Sequence, residues 1–228
     1  MTSTTPSRTQ SAPARDYQTD FIELCMRLGV LKFGTFRLKS GRDSPYFFNA
    51  GLFSTGRGIA AVGRAYAAAI AAAGLSFEML FGPAYKGIPL VAVTAAALAD
   101  TQGLDLPFAF NRKEAKDHGE GGRIVGGPLR GNVLIVDDVI TAGTAVRESI
   151  DIIRDAGARP AGVLLALDRQ ERGADGHLSA VQEVRAQFGI PVVAVIGLDE
   201  LMQHMQAQGR TAELASMQSY RARYGQAD

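Results

Sequence analysis

Asn132-Val-Leu-Ile-Val-Asp-Asp-Val-Ile-Thr-Ala-Gly-Thr144 runs from an apolar segment through two adjacent carboxylates into a short turn bearing hydroxyls and a glycine. Asn132 to Val136 reads as a buried strand and Thr144 to Ala156 as the helix that follows it. In parallel sheets ligands gather at the carboxyl ends of strands, and the amino end of the next helix offers unpaired N–H groups to an anion. A phosphate fits this place: Thr141 and Thr144 add hydroxyl donors, and Gly143 lets the backbone approach without a Cβ in the way. The turn has no lysine of the Walker A kind and is too short for one, so no nucleoside triphosphate cradle is implied. Asp137 and Asp138 would point to opposite faces if both kept strand geometry, so their joint use requires the backbone to leave the strand there. Carboxylates beside a phosphate repel it unless they accept hydrogen bonds from neutral hydroxyls or face a cation. A sugar phosphate satisfies both halves of the segment; the plainer alternative is a pair of helix-capping aspartates on a surface turn.

Outward from this segment, strands and helices alternate. The spacing predicts helices near 58–73, 87–99 and 179–188, and strands near 78–81, 106–110, 162–167 and 192–196. That alternation implies an α/β fold, a twisted and mainly parallel sheet with helices on both faces. Upstream, Phe21, Leu24, Cys25 and Leu28 have helical spacing, and Gly29 stands where a helix C-terminus prefers glycine. The turn-rich stretch of about 31–50 reads as a small N-terminal hood on a single domain of residues 16–228. Residues 1–15, rich in Thr, Ser and Pro with no apolar core, read as a disordered tail and as neither a secretory signal nor a transit peptide. Ser179 to Gln182 has capping-box spacing, Asp199 is placed to cap the final helical region, and a break is expected at Gly209.

Composition narrows the function classes. Across 228 residues, 24 Lys and Arg stand against 23 Asp and Glu, a net charge of +1, which argues against a polyanion-coating protein and so against nucleic acid as a partner. Phosphate chemistry must then be local. The one cysteine, Cys25, excludes an internal disulfide framework and suits a buried thiol in a reducing, cytoplasmic setting. The alanine-rich run 65–73 is too short to span a membrane, and no membrane partner is expected.

Residues 111–122 combine Arg112, Lys113, Lys116 and His118 with Glu114, Asp117 and Glu120, and carry no apolar periodicity. By composition they read as a mobile loop, suited to a lid that brings cations to a charged substrate, or as a salt-bridged loop with no catalytic task. No His or Cys spacing suggests a transition metal, whereas Mg²⁺ needs few protein ligands and remains compatible.

Val136-Asp-Asp-Val-Ile-Thr-Ala-Gly-Thr144 resembles the phosphoribosyl pyrophosphate signature of type I phosphoribosyltransferases. Leu38-Lys-Ser-Gly41, Ser44-Pro-Tyr-Phe-Phe-Asn49, Phe81-Gly-Pro-Ala-Tyr-Lys-Gly87, Phe110 to Gly119 and Leu167-Asp-Arg-Gln-Glu-Arg-Gly173 are similar, in that order, to bacterial orotate phosphoribosyltransferases. The resemblance covers nearly everything after Asp16. It implies transfer of the 5-phosphoribosyl group from phosphoribosyl pyrophosphate to orotate, with Mg²⁺, in a homodimer whose loop 111–122 crosses to the neighbouring active site.

By the same resemblance the phosphoribosyl pyrophosphate site comprises Asp137, Asp138, Val139, Ile140, Thr141, Ala142, Gly143, Thr144 and Ala145. Lys39, Tyr85, Lys86, Arg112, Lys113, Lys116 and His118 complete it. Catalysis is implied for Lys116, Arg112, Lys113, His118, Asp137 and Asp138, with Lys113 and Lys116 serving the neighbouring subunit. Orotate contacts are implied for Phe47, Phe48, Thr141 and Arg169, whose planar fork suits a carboxylate; Asp168 is expected to orient a neighbour. On the residues alone, Lys39 fits a solvated surface charge, Tyr85 and Lys86 an exposed loop pair, and the two phenylalanines ordinary core packing. A transferase for another base would share the acidic turn without the segments 44–49 and 167–173. A non-catalytic sensor on the same fold would be expected to carry an added basic module.

Overall fold

The computed structural model describes residues 16–38, 40–116, 122–140, 143–173 and 178–226, with no side-chain description for 115, 116 and 122. Helix α1 (Tyr17–Arg27) starts at Asp16, whose side chain accepts from the Gln18 N–H, and leads into a hairpin of β1 (Leu31–Arg37) and β2 (Asp43–Phe48). The hairpin is antiparallel and forms its own two-stranded sheet. This is the expected hood. There follow α2 (Gly56–Ala73), β3 (Met79–Gly82), α3 (Gly87–Gln102), β4 (Phe108–Lys116), β5 (Gly122–Gly126), β6 (Asn132–Val136) and α4 (Thr144–Asp155). Then come β7 (Arg159–Asp168), α5 (Ala180–Phe188), β8 (Val192–Gly197), α6 (Leu198–Ala207) and α7 (Thr211–Tyr224).

The main sheet has six strands in the order β5-β4-β3-β6-β7-β8, parallel throughout except for the antiparallel β4–β5 pair. Period-2 alternation sends successive side chains of one strand into different cores. Leu134 and Val136 join the core formed with α1, α2, α3 and α6, while Val133 and Ile135 join the one formed with α4 and α5. Both faces are therefore buried, which is why β6 reads as an unbroken apolar run. The alanines of α2 and α3 allow close approach: a Cβ on Gly63 would stand 2.4 Å from the Val93 carbonyl oxygen.

Two expectations need correction. Strand β4 does not end near Phe110 but continues through Asn111–Lys116, so the described part of the expected loop is strand, paired to β5 at its two ends by Asn111 with Ile124 and Lys116 with Gly122. Sequence periodicity misses this because the stretch is charged and its partner β5 is flanked by glycines. Second, Asp199 is not the cap of the final helical region. Gly197 is the N-cap residue of α6 and donates its N–H to Glu200 at 2.7 Å, while the Asp199 carboxylate holds Gln170 and Arg221. The capping box at Ser179 and Gln182 forms with both of its hydrogen bonds, and the break at Gly209 falls between α6 and α7. The tail 1–15 lies outside the described residues.

Candidate active site

Chain order changes direction in the middle of the sheet. From β3 the chain moves outward to β4 and β5, then returns to place β6 on the other side of β3. Crevices at such switch points, beyond the carboxyl ends of the strands, are where open α/β sheets bind ligands. The loop after β3 carries Tyr85 and Lys86; the loop after β6 carries Asp137 and Asp138.

The backbone does leave strand geometry after Val136, as joint use of the two acids requires. The Asp137 N–H donates to the Leu164 carbonyl at 3.0 Å, and the Asp138 carbonyl accepts from both Ala166 and Leu167, at 2.8 and 3.3 Å. The Tyr66 hydroxyl on α2 donates to the Asp137 carbonyl at 2.9 Å and braces the corner from below. Both carboxylates are buried. Asp138 receives Lys86 Nζ at 2.6 Å, and Asp137 Oδ1 accepts from the Asp138 N–H at 2.9 Å. Desolvation, reinforced by the neighbouring Asp138 charge, pushes the Asp137 carboxyl up to about 7. Such a pair, with a cation at its edge, is built to accept hydrogen bonds from neutral hydroxyls.

Beyond it, Gly143 is the N-cap of α4 in the left-handed region at φ 71° and offers no side-chain cap, with Thr144 and Ala145 exposed in the first turn. The first-turn N–H groups therefore face outward, as an anion would need. Val139 and Ile140 are half-buried, and Val139 bridges to Leu167. Thr141, Ala142, Lys39 and His118 lie outside the described residues, as does the side chain of Lys116.

The loop after β3 is fixed from β4: Asn111 Oδ1 accepts from the Ala84 N–H at 2.8 Å, and the Ala84–Tyr85 peptide is cis. Tyr85 is exposed, with Lys113 Nζ 5.2 Å from its ring centroid. Asn111 and Lys113, two apart on one strand, thus face the same subunit's loop.

At the end of β7, Arg169 stacks on the Tyr46 ring with its guanidinium carbon 4.4 Å from the centroid, and donates to Ser44 Oγ at 3.0 Å. The hood and β7 thus meet at this arginine. Phe47 is exposed and stacks on Phe36, whereas the Phe48 ring packs on Phe53 in the core, so of the two rings only that of Phe47 is available to a ligand. Asp168 orients its neighbour, accepting from the Gln170 N–H at 2.9 Å; burial raises its carboxyl. Sequence reading missed Tyr66, Asn111 and Glu171, a carboxylate bonded to Arg169, because each reaches its partner only through the tertiary fold or a local bend.

An open helix amino end, a buried acidic pair and a lysine at the switch point together define a type I phosphoribosyltransferase, and the Phosphoribosyl transferase domain family matches residues 52–185. Orotate phosphoribosyltransferase of Marinobacter nauticus is 64% identical over 211 residues, covering 92% of this chain and 99% of that protein. That of Thioalkalivibrio sulfidiphilus is 61% identical over 212 residues, with 92% and 99% covered. The crystal structure of orotate phosphoribosyltransferase from Francisella tularensis matches with a TM-score of 0.83 at 43% identity, covering 90% of this chain and 99% of that one. The chain belongs to the orotate phosphoribosyltransferase family.

Proposed function

We propose that this enzyme transfers the 5-phosphoribosyl group from phosphoribosyl pyrophosphate to orotate, giving orotidine 5-monophosphate and pyrophosphate in pyrimidine biosynthesis. The observation that carries the proposal is the joining of β3 and β6 at the switch point by the Lys86–Asp138 contact of 2.6 Å, beside the uncapped amino end of α4. The 5-phosphate sits on the turn from Val139 to Ala145, with the first-turn N–H groups of α4 as donors. Asp137 and Asp138 accept the ribose 2- and 3-hydroxyls, which frees Lys86 to turn toward the diphosphate. Orotate lies under the hood at Phe47 and Phe48, whose backbone groups share in the contact, with its carboxylate on the Arg169 guanidinium.

Displacement occurs at C1 of the ribose by N1 of orotate, as positive charge develops on the sugar and negative charge on the leaving diphosphate. Lys86, with Tyr85 and Lys39, binds that diphosphate with the help of Arg112; Lys113 and Lys116 reach it from the partner of a homodimer, and His118 completes the site. Their contribution is electrostatic, and no covalent nucleophile is required. The adjacent buried carboxylates of Asp137 and Asp138 are oxygen donors of the kind that a hard cation takes beside substrate oxygens and water. Mg²⁺, when bound, would supply further positive charge to the diphosphate, held mainly by substrate oxygens and water. No helix among the described residues is long and apolar enough to cross a membrane; the proposed setting of the enzyme is the cytoplasm.

The test mixes the protein with phosphoribosyl pyrophosphate, Mg²⁺ and orotate and follows the loss of orotate absorbance. Turnover of adenine or hypoxanthine in place of orotate would reject the assignment of the base.

A further inference from the structure

Two residues beyond Arg169, the carboxylate of Glu171, whose side chain is 13% exposed, meets arginines from two parts of the chain, and a third part pairs with its backbone. Glu171 Oε1 accepts from Arg169 Nε at 2.7 Å and lies 2.6 Å from Nη2. Its Oε2 stands 3.6 Å from Nη1 of Arg42 in the hood, and Arg42 in turn stacks over Tyr224. The backbone here is zipped to the chain's last described residues: Glu171 pairs with Gly225, the Arg172 N–H donates to the Tyr224 carbonyl, and the Gln226 N–H to the Gln170 carbonyl. One acid thus touches the base-site arginine and the hood while standing on the end of α7.

The geometry of the fork gives this acid a task. A guanidinium on a flexible stem binds a carboxylate well only if its plane is fixed beforehand. Arg169 is fixed from its face by the Tyr46 ring and along its Nε–Nη2 edge by Glu171. That edge is the side of the fork, so the acid leaves the Nη1 end to a ligand. Charge supports the same reading, since two guanidinium groups around one carboxylate leave an excess positive charge for an anionic base. We propose that Glu171 is the positioning residue for Arg169, holding its fork toward the base site and tying that orientation to the hood through Arg42 and to the tail of α7. The proposal rests on the assignment of Arg169 to the orotate carboxylate.

Glu171→Gln keeps the shape and one acceptor oxygen but replaces an anionic acceptor by a neutral one, which weakens the hydrogen bonds from the two arginines. The KM for orotate should rise roughly tenfold, while the KM for phosphoribosyl pyrophosphate and the kcat stay within about twofold. Glu171→Asp, which keeps the charge and withdraws it by one methylene, should fall between wild type and Glu171→Gln; it also serves as the readout if the glutamine variant melts early. An unchanged or lowered orotate KM in folded variants overturns the proposal, the lowered value meaning that Glu171 competes with the base. An equal rise in both KM values also overturns it, because that is what general loosening gives. Arg169→Ala separates the two levels of inference. If it leaves the orotate KM unchanged, the assignment of Arg169 itself fails; if it raises that KM and the Glu171 variants do not, only the positioning role fails.

Discussion

Lys86 is half-exposed, while the Asp138 carboxylate it holds is 8% exposed, so the two ends of this ion pair are not equivalent. Removing the lysine leaves a buried charge without its cation; removing the acid leaves a solvated lysine. Lys86→Ala should therefore lower kcat/KM by roughly 10²–10³, the usual loss for one electrostatic donor, measured by orotate consumption. Asp137 carries a different signature. Burial and the adjacent Asp138 raise its carboxyl from 3.8 to about 7, so between those values the folded protein binds a proton that the unfolded chain has released. The stability contributed by this group is complete below its unfolded value and is lost as pH rises through about 7. Asp137→Asn removes that dependence and keeps an oxygen for the Asp138 N–H. In thermal melts from pH 5 to 8, the wild-type Tm should fall relative to the variant's by a few degrees. Parallel curves would show that Asp137 ionises without cost.

The turn between β3 and α3 is closed by backbone contact. A Cβ on Gly82 would lie 2.2 Å from the Gly87 carbonyl oxygen and 2.7 Å from Val91 Cγ1. Gly82→Ala must push the turn outward and carry Lys86 away from Asp138, costing about 1–3 kcal/mol of stability. A rise in the KM for phosphoribosyl pyrophosphate alongside a lower Tm is the expected result, and an unchanged KM would detach the turn from the diphosphate. At α5, Ser179→Ala removes half of the capping box at a cost of about 1 kcal/mol, visible as a lower Tm with normal turnover. That box was legible in the sequence because both halves lie within four residues, and β6 was legible because burial on both faces leaves a continuous apolar run. The outer part of β4 was not. Asn111–Lys116 is strand whose two ends pair with Ile124 and Gly122 of β5, a cause that leaves no trace in side-chain periodicity. The contacts of Lys86 with Asp138, 52 residues away, and of Asn111 with Ala84, 27 residues away, likewise depend on which strands are neighbours. Motif resemblance supplied Lys86 as a candidate but not its partner.

At the scale of the molecule, the β5-β4-β3-β6-β7-β8 order sets what one subunit supplies to its own site and what it can offer to another. Asp137, Asp138 and the uncapped turn of α4 stand at the switch point, while β4 and β5 form one edge of the sheet. Asn111 holds the loop after β3 in its own chain. If Lys116 works in the partner's site, two inactive variants should repair each other. Lys116→Ala retains an intact acidic pair, and Asp138→Asn retains an intact hairpin. In a mixed dimer one site then receives a normal Asp138 from its own chain and a normal Lys116 from the other, while the second site receives neither. Random re-association of equal amounts makes half of the dimers mixed, so about a quarter of all sites should regain turnover. Mixing the purified variants, dissociating and reassembling them, and measuring orotate consumption gives the number directly. If Lys116 acts within its own subunit, every site in the mixture lacks one residue and activity stays at the level of the parents.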